Sequence, residues 1–325
     1  MALLKVQDLV IHYETEESVV EAVNGVSFEV NEGETLGLVG ETGAGKTTTA
    51  LGILRLIPSP PGRVVKGSIT FFDKDITDIS EAEMRTIRGN KISMIFQDPM
   101  TALNPSITIG EQVAEVIRLH QKTSREEATK RACEMLEMVG ITAERYHDYP
   151  HQFSGGMKQR VVIATALACG PKLLIADEPT TALDVTIQAQ VLDMIRSLQA
   201  KTNTAMILIT HDLGVVAEIC DRVAVIYAGE IVEYGPLDQI FFNTKHPYTL
   251  GLFGSIPSVK ENTRRLKSIK GLVPNPADLP SYCSFYDRCE SRCEHCTNGE
   301  PPYIEVEPGH FVRCKLFEKE ALANG

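Results

Sequence analysis

The sequence predicts an α/β fold with a largely parallel sheet, a helical subdomain and a small, irregular, cysteine-rich C-terminal extension. Up to Phe242, short β-rich runs alternate with helical runs, and a glycine-rich turn joins the first compact strand to a helix. Beyond Phe242 prolines recur and cysteines crowd together. We therefore expect one large domain over residues 1–242, with its helical subdomain at about residues 98–165, and the extension over residues 243–325.

The predicted strands are short and apolar, as strands buried on both faces of a sheet are. They are Glu34–Val39, Lys91–Phe96, Lys172–Ala176 and Ala205–Thr210. One helix is expected over Thr47–Leu56, directly after the glycine-rich turn. An amphipathic helix is expected over Ser124–Val139 and ends at Gly140. It lies in a helical stretch that runs from near Ile109 to just before Pro150.

Composition and charge narrow the classes of function. The 325 residues are 43% hydrophobic and 23% charged, as in a globular protein. A net charge of -11 argues against a nucleic-acid partner, which needs clustered Lys and Arg. No apolar run approaches the roughly 20 residues that a membrane helix requires, and the start lacks the pattern of a secretory leader. We therefore expect a cytoplasmic location, where the 8 cysteines stay unpaired.

The glycine-rich turn predicts a phosphate-binding loop. From Gly40 to Thr47 the chain reads Gly-Glu-Thr-Gly-Ala-Gly-Lys-Thr, which fits G-x4-G-K-[ST] between a strand and a helix. Glycines let successive N–H groups point at an anion, and the helix N-terminus adds partial positive charge. Lys46 is expected to reach the β- and γ-phosphates, and the Thr47 hydroxyl to ligate Mg²⁺. The predicted nucleotide-binding residues are Gly40, Thr42, Gly43, Ala44, Gly45, Lys46, Thr47 and Thr48.

Polar residues at strand ends complete a predicted hydrolysis site. The strand Lys172–Ala176 runs into Asp177 and Glu178. The carboxyl ends of parallel strands are where open α/β sheets bind ligands. Asp177 suits the Mg²⁺ shell, and Glu178 is then free to take a proton from, or orient, the attacking water. Gln97 and His211 also come at the ends of predicted strands. We expect Gln97 to contact Mg²⁺ or the attacking water, and His211 to contact the γ-phosphate.

A second glycine-containing segment indicates one particular protein family. Ser154, Gly155 and Gly156 open a predicted helix before the carboxylate strand, and such a helix start can bind phosphate. The order of phosphate loop, Gln97, Ser-Gly-Gly, Asp-Glu and His211 resembles that of the ABC ATPase family, a class of P-loop NTPase. The family signature usually reads LSGGQ, whereas this chain has Phe153 and Met157 in place of the Leu and the Gln.

The resemblance implies a mechanism. In ABC proteins two such domains dimerise head to tail and trap two ATP molecules, each between the phosphate loop of one subunit and the Ser-Gly-Gly segment of the other. Asp184, in the segment Thr181–Asp184, matches the loop that crosses that interface. Tyr13 matches the aromatic residue that stacks on adenine; the alternative is an ordinary strand tyrosine.

Three further stretches resemble the dipeptide and oligopeptide importers, closest to their D-type ATPase subunit. They are Phe96–Pro105, Tyr149–Met157 and the tail that opens with His246–Thr249. The resemblance implies a peripheral ATPase on the cytoplasmic face of the membrane. Its implied partners are an F-type ATPase, two membrane permease subunits and, indirectly, an external peptide-binding protein. Nickel importers share the tail, so nickel is the alternative cargo.

The extension carries a cluster of cysteines in a proline-rich segment that we expect to be an irregular appendage and not a continuation of the sheet. A metal is one way to cross-link a segment with so little apolar material. The spacing of Cys283, Cys289, Cys296 and Cys314 matches the peptide-importer tail, which implies a [4Fe-4S] cluster on those four. Cys293 forms a C-x2-C pair with Cys296, so Zn²⁺ is an alternative, and unliganded thiols are another.

Two other classes of function stay open at this point. A non-transport ABC ATPase is disfavoured by the single nucleotide domain, the acidic charge and the importer-like tail. A P-loop kinase or GTPase would not need the Ser-Gly-Gly segment, and no Asn-Lys-x-Asp motif for guanine occurs in the sequence.

Overall fold

The computed structural model describes residues 2–181, 184–254 and 269–318. Ala182 and Leu183 of the predicted interface loop, and residues 255–268 and 319–325 of the predicted extension, lie outside this range. The strands are β1 (Ala2–Glu14), β2 (Val19–Asn31), β3 (Thr35–Val39), β4 (Gly62–Phe71), β5 (Lys74–Asp75), β6 (Ile92–Ile95), β7 (Leu173–Asp177), β8 (Ala205–Thr210), β9 (Arg222–Tyr227), β10 (Glu230–Pro236), β11 (Tyr303–Glu307) and β12 (His310–Arg313). The helices are α1 (Lys46–Ile53), α2 (Glu81–Ile87), α3 (Pro99–Ala102), α4 (Ile109–His120), α5 (Arg125–Met138), α6 (Gly155–Leu167), α7 (Val185–Thr202), α8 (Leu213–Ile219), α9 (Leu237–Phe242) and α10 (Pro247–Gly254).

The chain divides into two compact units, one of which comprises residues 1–3, 30–34 and 78–209. Its strands β6, β7 and β8 run parallel, with β7 in the middle. Every residue of β7 is buried, which explains why the sequence reads as an uninterrupted apolar run. Helices α4, α5 and α6 pack against one another, and Val113, Ala132 and Val161, one on each helix, are fully buried.

The other unit comprises residues 4–29, 35–77 and 210–325. In it β3 runs parallel to β9, and β10, β12 and β11 follow as antiparallel neighbours. A second sheet has the order β2-β1-β4-β5. The turn between β3 and helix α1 holds Gly40 to Gly45, and Lys46 and Thr47 of the glycine-rich motif are the first residues of α1.

The predicted elements are present, with boundaries shifted by at most three residues. The amphipathic helix runs over Arg125–Met138, because the Ser124 hydroxyl accepts a 3.2 Å hydrogen bond from the Glu127 N–H and so acts as its N-cap. Gly140 adopts φ +77°, the left-handed conformation that ends helices. The helix expected from Thr47 to Leu56 is shorter and ends at Ile53.

The expectation of a wholly irregular extension is wrong in one respect. Strand β12 pairs with β10, aligning Val312 with Glu233, and β11 pairs with β12. The two strands join through Gly309, whose φ of +74° suits a tight turn. The extension therefore continues the sheet with a hairpin. Its prolines lie outside the paired positions, so a high proline content is compatible with these strands, although it led us to expect none.

None of the helices among the described residues is both long enough and apolar enough to cross a lipid bilayer.

Candidate functional site

The phosphate loop is tightly enclosed by backbone. A Cβ at Gly40 would lie 2.2 Å from the Ile226 carbonyl oxygen, and one at Gly45 would lie 2.4 Å from the Ala22 carbonyl oxygen. Gly45 also has φ +101° and is the N-cap of α1. Any larger residue at either position would push the loop off the strands behind it. The glycines that the motif requires are therefore required by packing as well.

The Lys46 side chain lies within this loop. It is 7% exposed, and its Nζ donates to the carbonyl oxygens of Gly40 at 2.8 Å and Glu41 at 2.9 Å. A buried ammonium group needs such partners, because the cost of desolvating it is high. The neighbouring Thr47 is exposed at the start of α1. The arrangement places a cation and the N–H groups of a helix start side by side, as an anion site requires.

Two backbone hydrogen bonds connect the phosphate loop to β2 through Gly229, and sequence reasoning missed both. The Gly229 N–H donates to the Ala44 carbonyl at 3.0 Å, and the Asn24 N–H donates to the Gly229 carbonyl at 2.8 Å. The turn between β9 and β10 thus links β2 to the phosphate loop. No sequence pattern marked this turn, because its role depends on strands that are distant in the chain.

The structure brings Gln97 and Glu178 together. Because β6 and β7 are parallel neighbours, the residues after them lie at the same edge. Gln97 Nε2 donates to Glu178 Oε2 at 2.9 Å. Thr181 Oγ1, which sequence reasoning missed, donates to the same oxygen at 2.9 Å. Asp177 is 2% exposed at the end of β7. Two donors therefore fix the orientation of the Glu178 carboxylate.

The backbone at Glu178 is held in an unusual conformation. Its φ is +47°, in the left-handed region that non-glycine residues rarely occupy, and its N–H donates to the Ile209 carbonyl at 2.8 Å. Such a conformation costs on the order of 1–3 kcal/mol and is concentrated at functional sites. The strain turns the Glu178 side chain to the strand edge next to Gln97.

The Ser-Gly-Gly segment and Asp184 line one open cavity, together with Met157, Arg160 and Ile187. Ser154 Oγ accepts a 3.4 Å hydrogen bond from the Met157 N–H and caps α6. A Cβ at Gly155 would meet nothing within 4 Å, so that position is open to a ligand. Asp184 Oδ1 accepts from the Ile187 N–H at 3.0 Å and caps α7. The predicted half-site is therefore a cavity bounded by two helix N-termini.

Two further predicted residues, Tyr13 and His211, belong to the second unit. Tyr13 is half-buried near the end of β1, opposite Gly62 on β4. His211 follows β8 directly and is exposed.

The four cysteines assigned to a cluster line a single small cavity, together with His246 and Phe285. Burial raises the pKa of the Cys283 thiol to about 11 and that of Cys314 to about 12. Buried thiols of this kind stay protonated unless a cation stabilises the thiolate. Cys293 Sγ lies 3.5 Å from Cys296 Sγ. Within the described ranges, however, no three His, Cys, Asp or Glu side chains are placed to hold a metal ion, so the metal remains a prediction.

Comparison with known proteins agrees with this geometry. The ABC transporter family profile matches residues 23–181, and that of the oligopeptide/dipeptide transporter C-terminal region matches residues 232–296. The oligopeptide transport ATP-binding protein AppD of Bacillus subtilis (strain 168) is 50% identical over 98% of both chains. The dipeptide transport ATP-binding protein DppD of the same organism is 49% identical over 98% of this chain and 96% of its own. The dimeric ATP-binding cassette MJ0796 bound to ADP and Pi superposes with a TM-score of 0.65 at 29% identity, covering 72% of this chain and 98% of that one.

The fold, the phosphate loop and the Ser-Gly-Gly cavity define an ATP-hydrolysing protein of the ABC type. The chain belongs to the family of ABC transporter ATP-binding proteins, in its oligopeptide and dipeptide transport group. The resemblance drawn from the sequence motifs is confirmed.

Proposed function

We propose that this subunit couples hydrolysis of MgATP to the uptake of dipeptides or oligopeptides through membrane permease subunits. The observation that carries the proposal is the Glu178 carboxylate, held by Gln97 and Thr181 in a chain that also has a complete phosphate loop. The similarity to AppD and DppD over nearly the whole chain supports peptide as the cargo.

In this proposal Lys46 and the loop N–H groups bind the β- and γ-phosphates, and Tyr13 stacks on adenine. Thr47, Gln97 and Asp177 are the residues that would hold Mg²⁺, which neutralises phosphate charge. The buried position of Asp177 fits a carboxylate whose charge a metal offsets.

Glu178 orients the attacking water and accepts its proton, and His211 contacts the γ-phosphate. Gln97, which donates to Glu178, helps to keep that carboxylate in place. A carboxylate fixed before the substrate arrives needs little reorganisation during the reaction.

We further propose a head-to-tail arrangement of two ATPase subunits, the second an F-type paralogue, at the cytoplasmic face of the inner membrane. Ser154, Gly155 and Gly156 would contact the nucleotide held by the partner, and Asp184 would lie at the shared interface. The open position at Gly155 supports this, because a phosphate can approach the α6 N-terminus there. An external peptide-binding protein would deliver cargo to the two permease subunits. We propose a domain boundary at residue 242, with a helical subdomain at about residues 98–165.

Reconstitution tests the transport function. The chain is combined with candidate permease subunits, a partner ATPase and the binding protein in vesicles, and uptake of labelled dipeptide, longer peptide and Ni²⁺ is measured with and without ATP. ATP-dependent peptide uptake is the expected result. Uptake of Ni²⁺ alone would assign the chain to metal import, and ATPase activity unaffected by any permease would favour a non-transport ABC ATPase.

We propose a [4Fe-4S] cluster on Cys283, Cys289, Cys296 and Cys314. Their shared cavity and the thiolate chemistry of iron–sulfur ligation support it, and the cluster would cross-link the extension. Protein purified without oxygen should be brown, absorb near 400 nm and contain iron and sulfide in equal amounts. Cys314→Ser should lose the colour, whereas Cys133→Ser, on α5, should keep it. A colourless protein with one Zn²⁺ per chain would replace the cluster with zinc.

A further inference from the structure

Glu41, the second residue of the phosphate loop, has all its polar groups held by other residues. Its N–H donates to Tyr248 Oη at 3.0 Å, and its carbonyl oxygen accepts from Lys46 Nζ at 2.9 Å. Its carboxylate receives both terminal nitrogens of the Arg288 guanidinium, at 2.6 and 3.0 Å. This two-bond pairing is the strong and directional form of an ion pair.

Two of these three partners come from the C-terminal extension. Tyr248 lies on α10 and is fully buried. Arg288 ends the short 3-10 turn Tyr286–Arg288, directly before Cys289. The ATPase domain therefore has one of its loop residues fixed by a segment that carries no nucleotide motif.

The Arg288 side chain is only 6% exposed and is itself tightly held. Its Nε donates to the Lys270 carbonyl at 3.2 Å, and one terminal nitrogen also reaches Tyr227 Oη at 3.4 Å. The guanidinium carbon lies 5.7 Å from the Tyr227 ring centroid and 6.0 Å from that of Phe285. An exposed ion pair would contribute little, but a pair fixed by this many contacts keeps its geometry.

We propose that Arg288 is a positioning residue for the nucleotide site, acting through Glu41. The inference rests on the proposed function, because it assumes that the loop binds ATP. Arg288 holds the loop in its anion-binding shape before the ligand arrives, which lowers the ordering cost of binding. It also neutralises the Glu41 carboxylate, which would otherwise repel a triphosphate bound to the same loop.

A double-mutant cycle on the full chain tests this assignment. Dissociation constants for fluorescent MgATP, and KM and kcat for ATP hydrolysis, are measured for Arg288→Gln, Glu41→Gln and the double variant. We expect Arg288→Gln to raise Kd and KM about tenfold, as loss of a charge-assisted pair does, with kcat at saturating ATP unchanged. In the Glu41→Gln background the same change should raise Kd less than about threefold, because the carboxylate that it serves is gone.

Further variants separate positioning from a general loss of structure. Arg288→Lys keeps the charge but not the two-bond geometry, so its Kd should lie between those of wild type and Arg288→Gln. Arg85→Gln removes a 76% exposed arginine that lies 3.6 Å from Glu81 and should bind MgATP like wild type. An equal rise in Kd in both Glu41 backgrounds, or an unchanged Kd in Arg288→Gln, would overturn the inference. A wild-type chain that fails to bind MgATP would instead overturn the proposed function.

Discussion

Gln97 and Glu178 are 81 positions apart in the chain, and a 2.9 Å hydrogen bond joins their side chains. Parallel pairing of β6 with β7 brings them together, and the left-handed backbone at Glu178 turns its carboxylate towards Gln97. Gln97 and Thr181 therefore orient the carboxylate. Its orientation gives the first prediction.

Replacing Glu178 by glutamine should leave ATP binding intact and abolish most turnover. The amide keeps the size of the side chain but cannot accept a proton from water. We expect phosphate release to fall by about 10²-fold or more, while size-exclusion chromatography with the partner ATPase shows an ATP-bound dimer. Glu134→Gln, on the exposed side of α5, should hydrolyse ATP normally. Hydrolysis by Glu178→Gln at the wild-type rate would refute the general-base role.

Lys46→Ala should weaken the binding of MgATP. The buried Lys46 ammonium group donates hydrogen bonds to two loop carbonyls, and in the proposed complex it would contact the phosphates. Because charge-assisted hydrogen bonds contribute about 1.5–3 kcal/mol, the dissociation constant for MgATP should rise at least about tenfold. Isothermal titration checks this, with Lys66→Ala, at an exposed position of β4, as the matched control. Equal affinity in Lys46→Ala and wild type would rule out the phosphate role.

Asp184 has a structural role that can be separated from its charge. Its carboxylate caps α7, and Asn caps helices about as well as Asp. Asp184→Asn should therefore unfold in urea like wild type, whereas Asp184→Ala should lower the free energy of unfolding by about 1 kcal/mol. If Asp184 lies at the dimer interface, both changes should weaken the ATP-bound dimer that the Glu178→Gln chain forms with its partner ATPase. A dimer as stable as before in both would remove Asp184 from the interface.

The ion pair of Glu111 with Arg118 should make the stability of the α4 region depend on pH. Arg118 lies 2.6 Å away, and its hydrogen bond lowers the pKa of Glu111 from its usual range. A carboxyl group with a lowered pKa stabilises the fold above its unfolded pKa and loses that effect as the pH falls through its folded pKa.

Glu111→Gln should therefore destabilise the protein by about 1 kcal/mol at pH 7. The difference from wild type should shrink as the pH falls below about 4.5. Urea unfolding followed by circular dichroism at several pH values measures it. A difference that stays constant down to pH 3 would mean that packing, and not charge, is responsible.

How much of the site the sequence revealed depended on how local each feature is. The phosphate loop, the Ser-Gly-Gly helix start and the apolar strand before Asp177 are each encoded in a few consecutive residues, so their spacing was sufficient to predict them. The turn at Gly229 and the pairing of β12 with β10 were missed, because each depends on a partner far along the chain. Thr181 was also missed, although its partner Glu178 lies only three residues before it.

The amino-acid sequence by itself determined that this chain has a phosphate loop, a carboxylate pair at a strand end and the order of motifs typical of ABC ATPases. Only the tertiary structure decided that Gln97 orients Glu178, and that Arg288 and Tyr248 hold Glu41. The physical reason is the distance along the chain between the residues that interact. Helix caps and glycine turns form between neighbouring residues, whereas a hydrogen bond between distant side chains exists only after the strands that carry them have paired.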